Sequence, residues 1–183
     1  MLVAIGFGAS IGARRRAVEV AIRQISSLDG ISFIRCSRWV RTRPLPGGSA
    51  HGWFLNGVAL FEVAIPLIDL LGHCRHQEDA LGRHRNITWG DRPLDIDLIL
   101  AEDTVLKGRN LTIPHPALYD RPFVLQPLLE VWPEAIDPRN NKPIMSGVNF
   151  QPLSGAGQMS VDWRGTPTLH RGKANPTQTG ACR

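Results

Sequence analysis

A strand that carries two carboxylates on one side constrains this chain more than any other stretch. It is the second half of Trp89-Gly90-Asp91-Arg92-Pro93-Leu94-Asp95-Ile96-Asp97-Leu98-Ile99-Leu100. Side chains alternate across a strand, so Asp95 and Asp97 share one face while Leu94, Ile96, Leu98 and Leu100 share the other, which needs a core to bury it. Two ionised carboxylates about 6–7 Å apart repel by about 2–3 kcal/mol at an effective dielectric near 20. A divalent cation turns that repulsion into binding. Oxygen ligands without a neighbouring Cys or His suit Mg²⁺, which takes one or two carboxylates plus substrate phosphates. The alternative is a solvated edge strand with two surface acids. Ile99 continues the acidic face as an apolar residue, which argues that this face is partly covered.

With 183 residues, 43% of them hydrophobic, the chain is long enough for one well-buried core. The net charge is +5, but from Gly165 onward the chain holds Arg171, Lys173 and Arg183 and no acid, leaving 18 basic against 16 acidic residues before it. So modest an excess points to local anion sites and not to a nucleic-acid surface. Cys36, Cys74 and Cys182 are odd in number and lack metal-ligand spacing, which argues against a disulfide framework and for a reducing cytoplasm. The apolar start precedes Arg14, Arg15 and Arg16, the wrong order for a secretory leader, and no apolar run is long enough to span a bilayer. The expectation is a soluble cytoplasmic protein with small-molecule ligands, no nucleic acid and no membrane.

Residues 2–8 read as a buried strand, with Gly6, Gly8 and Gly12 marking a turn where backbone passes closely. Ala17, Val18, Ala21, Ile22, Ile25 and Leu28 recur at helical spacing up to Asp29-Gly30. The pattern predicts strands over 31–42 and 54–63, separated by a Gly- and Pro-rich loop over 43–52 of the kind that covers a substrate. Pro66 opens a helix whose buried stripe is Leu67, Ile68, Leu70, Leu71, Cys74 and Leu81. A polar, basic segment over 82–89 leads to the acidic strand. Two short strands around Gly108 and an apolar helix containing Phe123, Val124, Leu125, Leu128, Leu129 and Val131 complete the body. The order strand, helix, strand, strand, helix, strand predicts an α+β sandwich of the ferredoxin-like, split β-α-β type. From Gly155 the apolar periodicity ends. Residues 1–160 read as the domain and 161–183 as a disordered tail.

Several ordered motifs carry a resemblance. They are Trp89-Gly90 and Arg92 with Leu94-Asp95-Ile96-Asp97, then Leu111-Thr112-Ile113-Pro114-His115-Pro116, then Arg121-Pro122-Phe123-Val124-Leu125 with Pro127-Leu128. Arg41-Thr42 with Pro44-Leu45, and Phe54-Leu55-Asn56, add to them. Across residues 2–135 the chain resembles the 6-hydroxymethyl-7,8-dihydropterin pyrophosphokinases of folate biosynthesis. The resemblance implies transfer of pyrophosphate from MgATP to the hydroxymethyl group of a reduced pterin, releasing AMP. It implies two Mg²⁺ ions on Asp95 and Asp97, with Asp97 an alternative acceptor for the hydroxyl proton. Arg83 and Arg92 join the two aspartates as catalytic residues. The ATP set is Arg83, Arg85, Trp89, Arg92, Leu98, Thr112, His115 and Arg121. The pterin set is Thr42, Pro44, Leu45, Phe54, Asn56 and Phe123, with the two Phe rings as faces of a sandwich. A neighbouring folate-pathway enzyme is the implied protein partner.

The chain departs from the family's usual pattern at Ser10, Arg75, Thr88, Asp91 and Pro116, and its basic loop over 82–89 is about one residue short. Thr88 removes one phosphate contact and Asp91 adds a negative charge near anionic substrate. A lost charged hydrogen bond costs about 1.5–3 kcal/mol, or about 10- to 100-fold in rate or affinity. Those changes keep open a catalytically silent, regulatory pterin- or nucleotide-binding paralog. A ferredoxin-like RNA-binding module is a further reading, disfavoured by the lack of an aromatic sheet signature.

Overall fold

The computed structural model describes residues 1–44, 49–82 and 90–147, together with the backbone of 160–161 and 167–168. Its centre is a pair of long apolar strands, Leu2–Ala9 (β1) and Phe54–Val63 (β4), between which the chain forms the helix Arg14–Ser26 (α1) and the strands Ile31–Cys36 (β2) and Trp39–Thr42 (β3). β1 and β4 run antiparallel from Leu2 opposite Glu62 to Ala9 opposite Leu55. Both are buried on both faces almost throughout, which is why they read as continuous apolar runs and not as alternating ones. After the helix Leu67–Ala80 (α2), the acidic strand Asp95–Ala101 (β5) pairs antiparallel with the other edge of β1.

Where the pattern predicts one strand over 31–42, β2 and β3 follow each other along the outer edge of β4. Ser37, buried at the break, explains how the ladder survives it. Its N–H donates to the Val58 carbonyl at 2.8 Å, and its hydroxyl accepts the Val58 N–H at 3.0 Å. Trp39 then lays its ring against Gly57, where any Cβ would collide with it.

Helices cover both faces of this sheet. Val18, Ala21, Ile22 and Ile25 of α1 and Leu67, Leu70, Leu71 and Cys74 of α2 bury one face with Ile5, Phe7, Phe61, Ile96 and Leu98. Small hairpins follow β5: Leu106–Lys107 (β6) with Thr112–Ile113 (β7) around Gly108, then, after the helix Pro122–Val131 (α3), Ile136–Asp137 (β8) with Lys142–Pro143 (β9). α3 packs on the opposite face, against Val58, Leu60 and Ile99. The fold is α+β, with three α-helices on antiparallel sheets among the described residues.

Several local expectations change. Ile68 and Leu81, read into the buried stripe of α2, are exposed. Gly6 and Gly8 lie inside β1 and not in a turn; Gly12, at φ +69°, is the turn glycine. A register shift between Ala4 and Ile5 against β5 makes Ile99 the extra residue of a bulge, so Leu100 joins Ile99 on the α3 face instead of following Leu98. Cys74 is the free cysteine among the described residues. Burial, with Glu78 and Asp97 nearby, pushes the Cys74 thiol up to about 12, so it stays protonated and inert. The tail expected over 161–183 lies outside the described residues, apart from short stretches of backbone. Of these, Ser160–Val161 (β10) pairs with β3, and Pro167–Thr168 (β11) with β10.

The buried Asp137 ties the hairpin after α3 to the segment before it: its carboxylate accepts from Arg139 at 2.6 Å and from the Tyr119 hydroxyl at 2.9 Å. The Arg139 hydrogen bonds hold its carboxyl down at about 2, below the value of roughly 3.9 for an unfolded chain. A depressed folded value contributes stability that is complete above about pH 4 and lost as pH falls through about 2. Urea midpoints measured across that window are expected to fall for the wild type and to flatten in Asp137→Asn.

Candidate active site

Register brings the acidic strand and the amide-bearing strand into line. Gly8 of β1 lies opposite Asn56 on one side and opposite Asp95 on the other, and residues directly opposite share a face. The next row along is Val58, Gly6 and Asp97. Thr42 pairs with Phe54, two residues before Asn56, so it too faces α3. Strands lie about 4.8 Å apart, so a gap of about 9–10 Å separates Asn56 from Asp95 with only Gly8 between them. Over Gly6 the gap is filled, since a Cβ there would meet Ile99 Cδ1 at 3.1 Å. At Gly8 the neighbours are lateral: a Cβ would sit 3.0 Å from Asn56 Oδ1 and 3.6 Å from Asp95 Cβ. The result is a shelf between an amide and a carboxylate.

Asn56 is buried and donates from Nδ2 to the Thr42 hydroxyl at 2.8 Å. That bond fixes the amide's orientation and aims Oδ1 across Gly8. Phe54 and Phe123 are both half-buried, Phe123 resting on the α3 core. Pro44 is half-buried just past β3.

Each aspartate has an arginine partner. Arg92 Nη1 lies 2.9 Å from Asp95 Oδ2, and Arg121 Nη1, at the cap of α3, lies 3.6 Å from Asp97 Oδ2. The two carboxylate side chains are 23% and 39% exposed, open enough to exchange partners. Among the described residues no three Asp, Glu, His or Cys side chains gather as a complete metal cage. Two carboxylates on one face, with remaining positions left to phosphate oxygens and water, are nonetheless the donor set that Mg²⁺ favours.

His115 follows the turn after β7, its N–H donating to the Ile99 carbonyl at 2.8 Å. Its Nδ1 accepts the Ala117 N–H at 3.1 Å, which leaves the ring hydrogen of the neutral form on Nε2. Burial first, then the Arg121 charge, lowers its pKa below the usual imidazole value, against a smaller raising effect from Asp95. Thr112 turns its hydroxyl toward the Gly108 carbonyl at 3.4 Å. Leu98 is buried among α1 and α2, on the far side of the sheet from Asp97, so its backbone is the part that a ligand can reach. Arg83, Arg85, Trp89 and Leu45 lie outside the described residues.

Glu78 escapes a reading by motif. It is buried, and its Oε1 accepts the N–H of Ile96, the residue between the two aspartates, at 2.8 Å. The sequence signal is an acid placed four residues after Cys74 on the apolar stripe of α2, where a hydrophobe belongs. Arg75, one of the departures, donates to the Asn110 carbonyl at 3.1 Å.

The family described as 7,8-dihydro-6-hydroxymethylpterin-pyrophosphokinase matches residues 4–133. The chain belongs to this family. It is 38% identical to the 2-amino-4-hydroxy-6-hydroxymethyldihydropteridine pyrophosphokinase of Synechocystis sp. over 77% of this chain and 71% of that protein. It is 33% identical to the folic acid synthesis protein fol1 of Schizosaccharomyces pombe over 82% of this chain, but only 20% of that protein. Wild-type HPPK-DHPS of Plasmodium falciparum has a similar fold, with a TM-score of 0.62 at 10% identity over 87% of this chain and 48% of that one. The chain thus spans under half of that structure. Within the pyrophosphokinase match lie the Gly8 shelf, both aspartates, Arg92, His115, Arg121 and both Phe residues.

The shelf predicts a sharp response to one methyl group. Gly8→Ala is expected to fold with a loss of about 1 kcal/mol, while the Asn56 side-chain amide resonances shift as Oδ1 is pushed from its place. Urea titration and amide NMR check the two halves.

Proposed function

We propose that ATP lies across Asp95 and Asp97 with its triphosphate between Arg92 and Arg121, while the reduced pterin occupies the shelf over Gly8. The chain is an ATP-dependent pyrophosphokinase that makes the diphosphate ester of 6-hydroxymethyl-7,8-dihydropterin in folate biosynthesis, with ATP as co-substrate. The observation that carries the site reading is the row Asn56, Gly8, Asp95 across three strands. It sets a polar edge-reader and a phosphate-side acid on one face, separated by the width of a flat heterocycle.

In this reading Thr42 and Asn56 read the pterin edge, with Pro44 and Leu45 backbone beside them, and Phe54 and Phe123 take the ring faces. The hydroxymethyl oxygen attacks the β-phosphorus of ATP; the bond from that phosphorus to the oxygen shared with the α-phosphate breaks, and AMP leaves. Arg92 and Arg121 exchange carboxylate for phosphoryl oxygens, a small loss because half-exposed ion pairs are each worth about 1 kcal/mol or less. Two Mg²⁺ ions on Asp95 and Asp97 would neutralise phosphoryl charge and acidify the attacking hydroxyl. Asp97 is the candidate acceptor for its proton. His115 donates from Nε2 to ATP, with Thr112 and the Leu98 backbone beside it. Arg83, Arg85 and Trp89 are assigned to the triphosphate from their motif alone, Arg83 with a catalytic part.

The strand order β5, β1, β4 and then β2 with β3, with α1 and α2 on one face, supports a ferredoxin-like arrangement for residues 1–160. A neighbouring folate-pathway enzyme is the partner class that the longer relatives suggest. No helix among the described residues is long and apolar enough to cross a membrane. ATP and a reduced pterin as substrates support a cytoplasmic setting.

A coupled AMP-release assay with MgATP and 6-hydroxymethyl-7,8-dihydropterin tests the assignment. AMP formation is expected to require the pterin and to fall about a thousandfold in Asp95→Ala. Saturable binding of either substrate without AMP would instead mark a silent paralog.

A further inference from the structure

Asp91 looks from sequence like a stray negative charge beside a triphosphate site, yet its carboxylate is engaged elsewhere. One oxygen accepts the His51 N–H at 3.1 Å and the other the Gly52 N–H at 3.3 Å. The His51 bond is the main reason its carboxyl is held below the usual range, and the Ser10 hydroxyl adds to it. Ser10 is fully buried at the end of β1 and grips the same turn. Its hydroxyl accepts the Arg92 N–H at 2.8 Å, and its own N–H donates to the Arg92 carbonyl at 2.9 Å. Gly52 fits closely between them, since a Cβ would lie 3.1 Å from the Ser10 carbonyl and 3.3 Å from Asp91 Oδ1. Arg14 closes the group, donating to the Ser10 carbonyl at 2.6 Å with its guanidinium 4.1 Å from the Trp53 ring. Arg41 lies 4.3 Å from the same ring.

Three segments far apart in sequence meet at this carboxylate. Gly52 is two residues before Phe54 and four before Asn56; Asp91 is next to Arg92 and four before Asp95. One carboxylate therefore ties the approach to the pterin strand to the turn that carries the phosphate-side arginine. We propose that Asp91, with Ser10, is a positioning residue that holds the pterin side and the phosphate side of the site in register. It does not act as a charge that repels ATP. This role rests on the site assignment above.

The test combines AMP-release kinetics of the full chain with amide hydrogen exchange at His51 and Gly52. Asp91→Ala is expected to speed exchange at both amides about tenfold or more and to raise KM for the pterin about tenfold, with KM for ATP changed less than twofold. Asp91→Asn retains a carbonyl acceptor for one of the two N–H groups and is expected to fall between, a graded rescue that a general loss of stability would not give. A lower KM for ATP or a higher kcat in Asp91→Ala would show a repulsive charge and overturn the proposal. Unchanged exchange with unchanged pterin KM would overturn it too. Wild-type chain that releases no AMP removes the underlying assignment and this role together; active wild type, with Asp95→Ala dead and Asp91→Ala kinetically normal, removes this role alone.

Discussion

β1 is buried on both faces and flanked on both edges, and the rest of the site follows from that placement. Its apolar residues face α1 and α2, while Ala4, Gly6 and Gly8 face α3. Pairing with β4 on one side and β5 on the other brings Asn56 and Asp95 to the same level. A larger residue at position 8 would fill the shelf, and a one-residue slip would send the aspartates into the α1 and α2 core. Burial of the apolar partners of Asp95 and Asp97 thus enforces the outward aim of the acids. Glu78 reinforces it by taking the Ile96 N–H from the strand's outer edge.

Electrostatics divides the charged groups into two kinds. Asp137, with Arg139 and Tyr119, is buried and multiply hydrogen-bonded, and its work is to tie the segments before and after α3 together. Asp95 with Arg92 and Asp97 with Arg121 are ion pairs between partly exposed side chains. Pairs of the second kind contribute little to stability and separate readily when a stronger partner arrives. Such reversibility suits arginines that must hold phosphate in one state and carboxylate in another. Asp91 falls between, exposed enough to be mistaken for a solvated charge but committed to two backbone N–H groups.

Much of this was legible in the chain. The apolar runs, most of each helical stripe, the hairpin around Gly108 and the paired carboxylates follow from local periodicity, because alternation and helical repeat are properties of neighbouring residues. The motifs around Asp95, His115 and Arg121 were enough to indicate the family. Neither the break at Ser37 nor the bulge at Ile99 could be read that way, since each depends on which strand lies alongside. The glycines of β1 looked like turn residues because glycine marks close approach without saying what approaches.

The sequence by itself determined the composition of each face and the chemistry available to it: two acids, a buried amide, arginines and aromatics in a fixed order. Only the tertiary structure decided that Gly8 would separate Asn56 from Asp95 and that Asp91 would meet His51 and Gly52. Cross-strand register and hydrogen bonds between distant loops are set by the packing of the whole sheet, and no local window of residues contains that information.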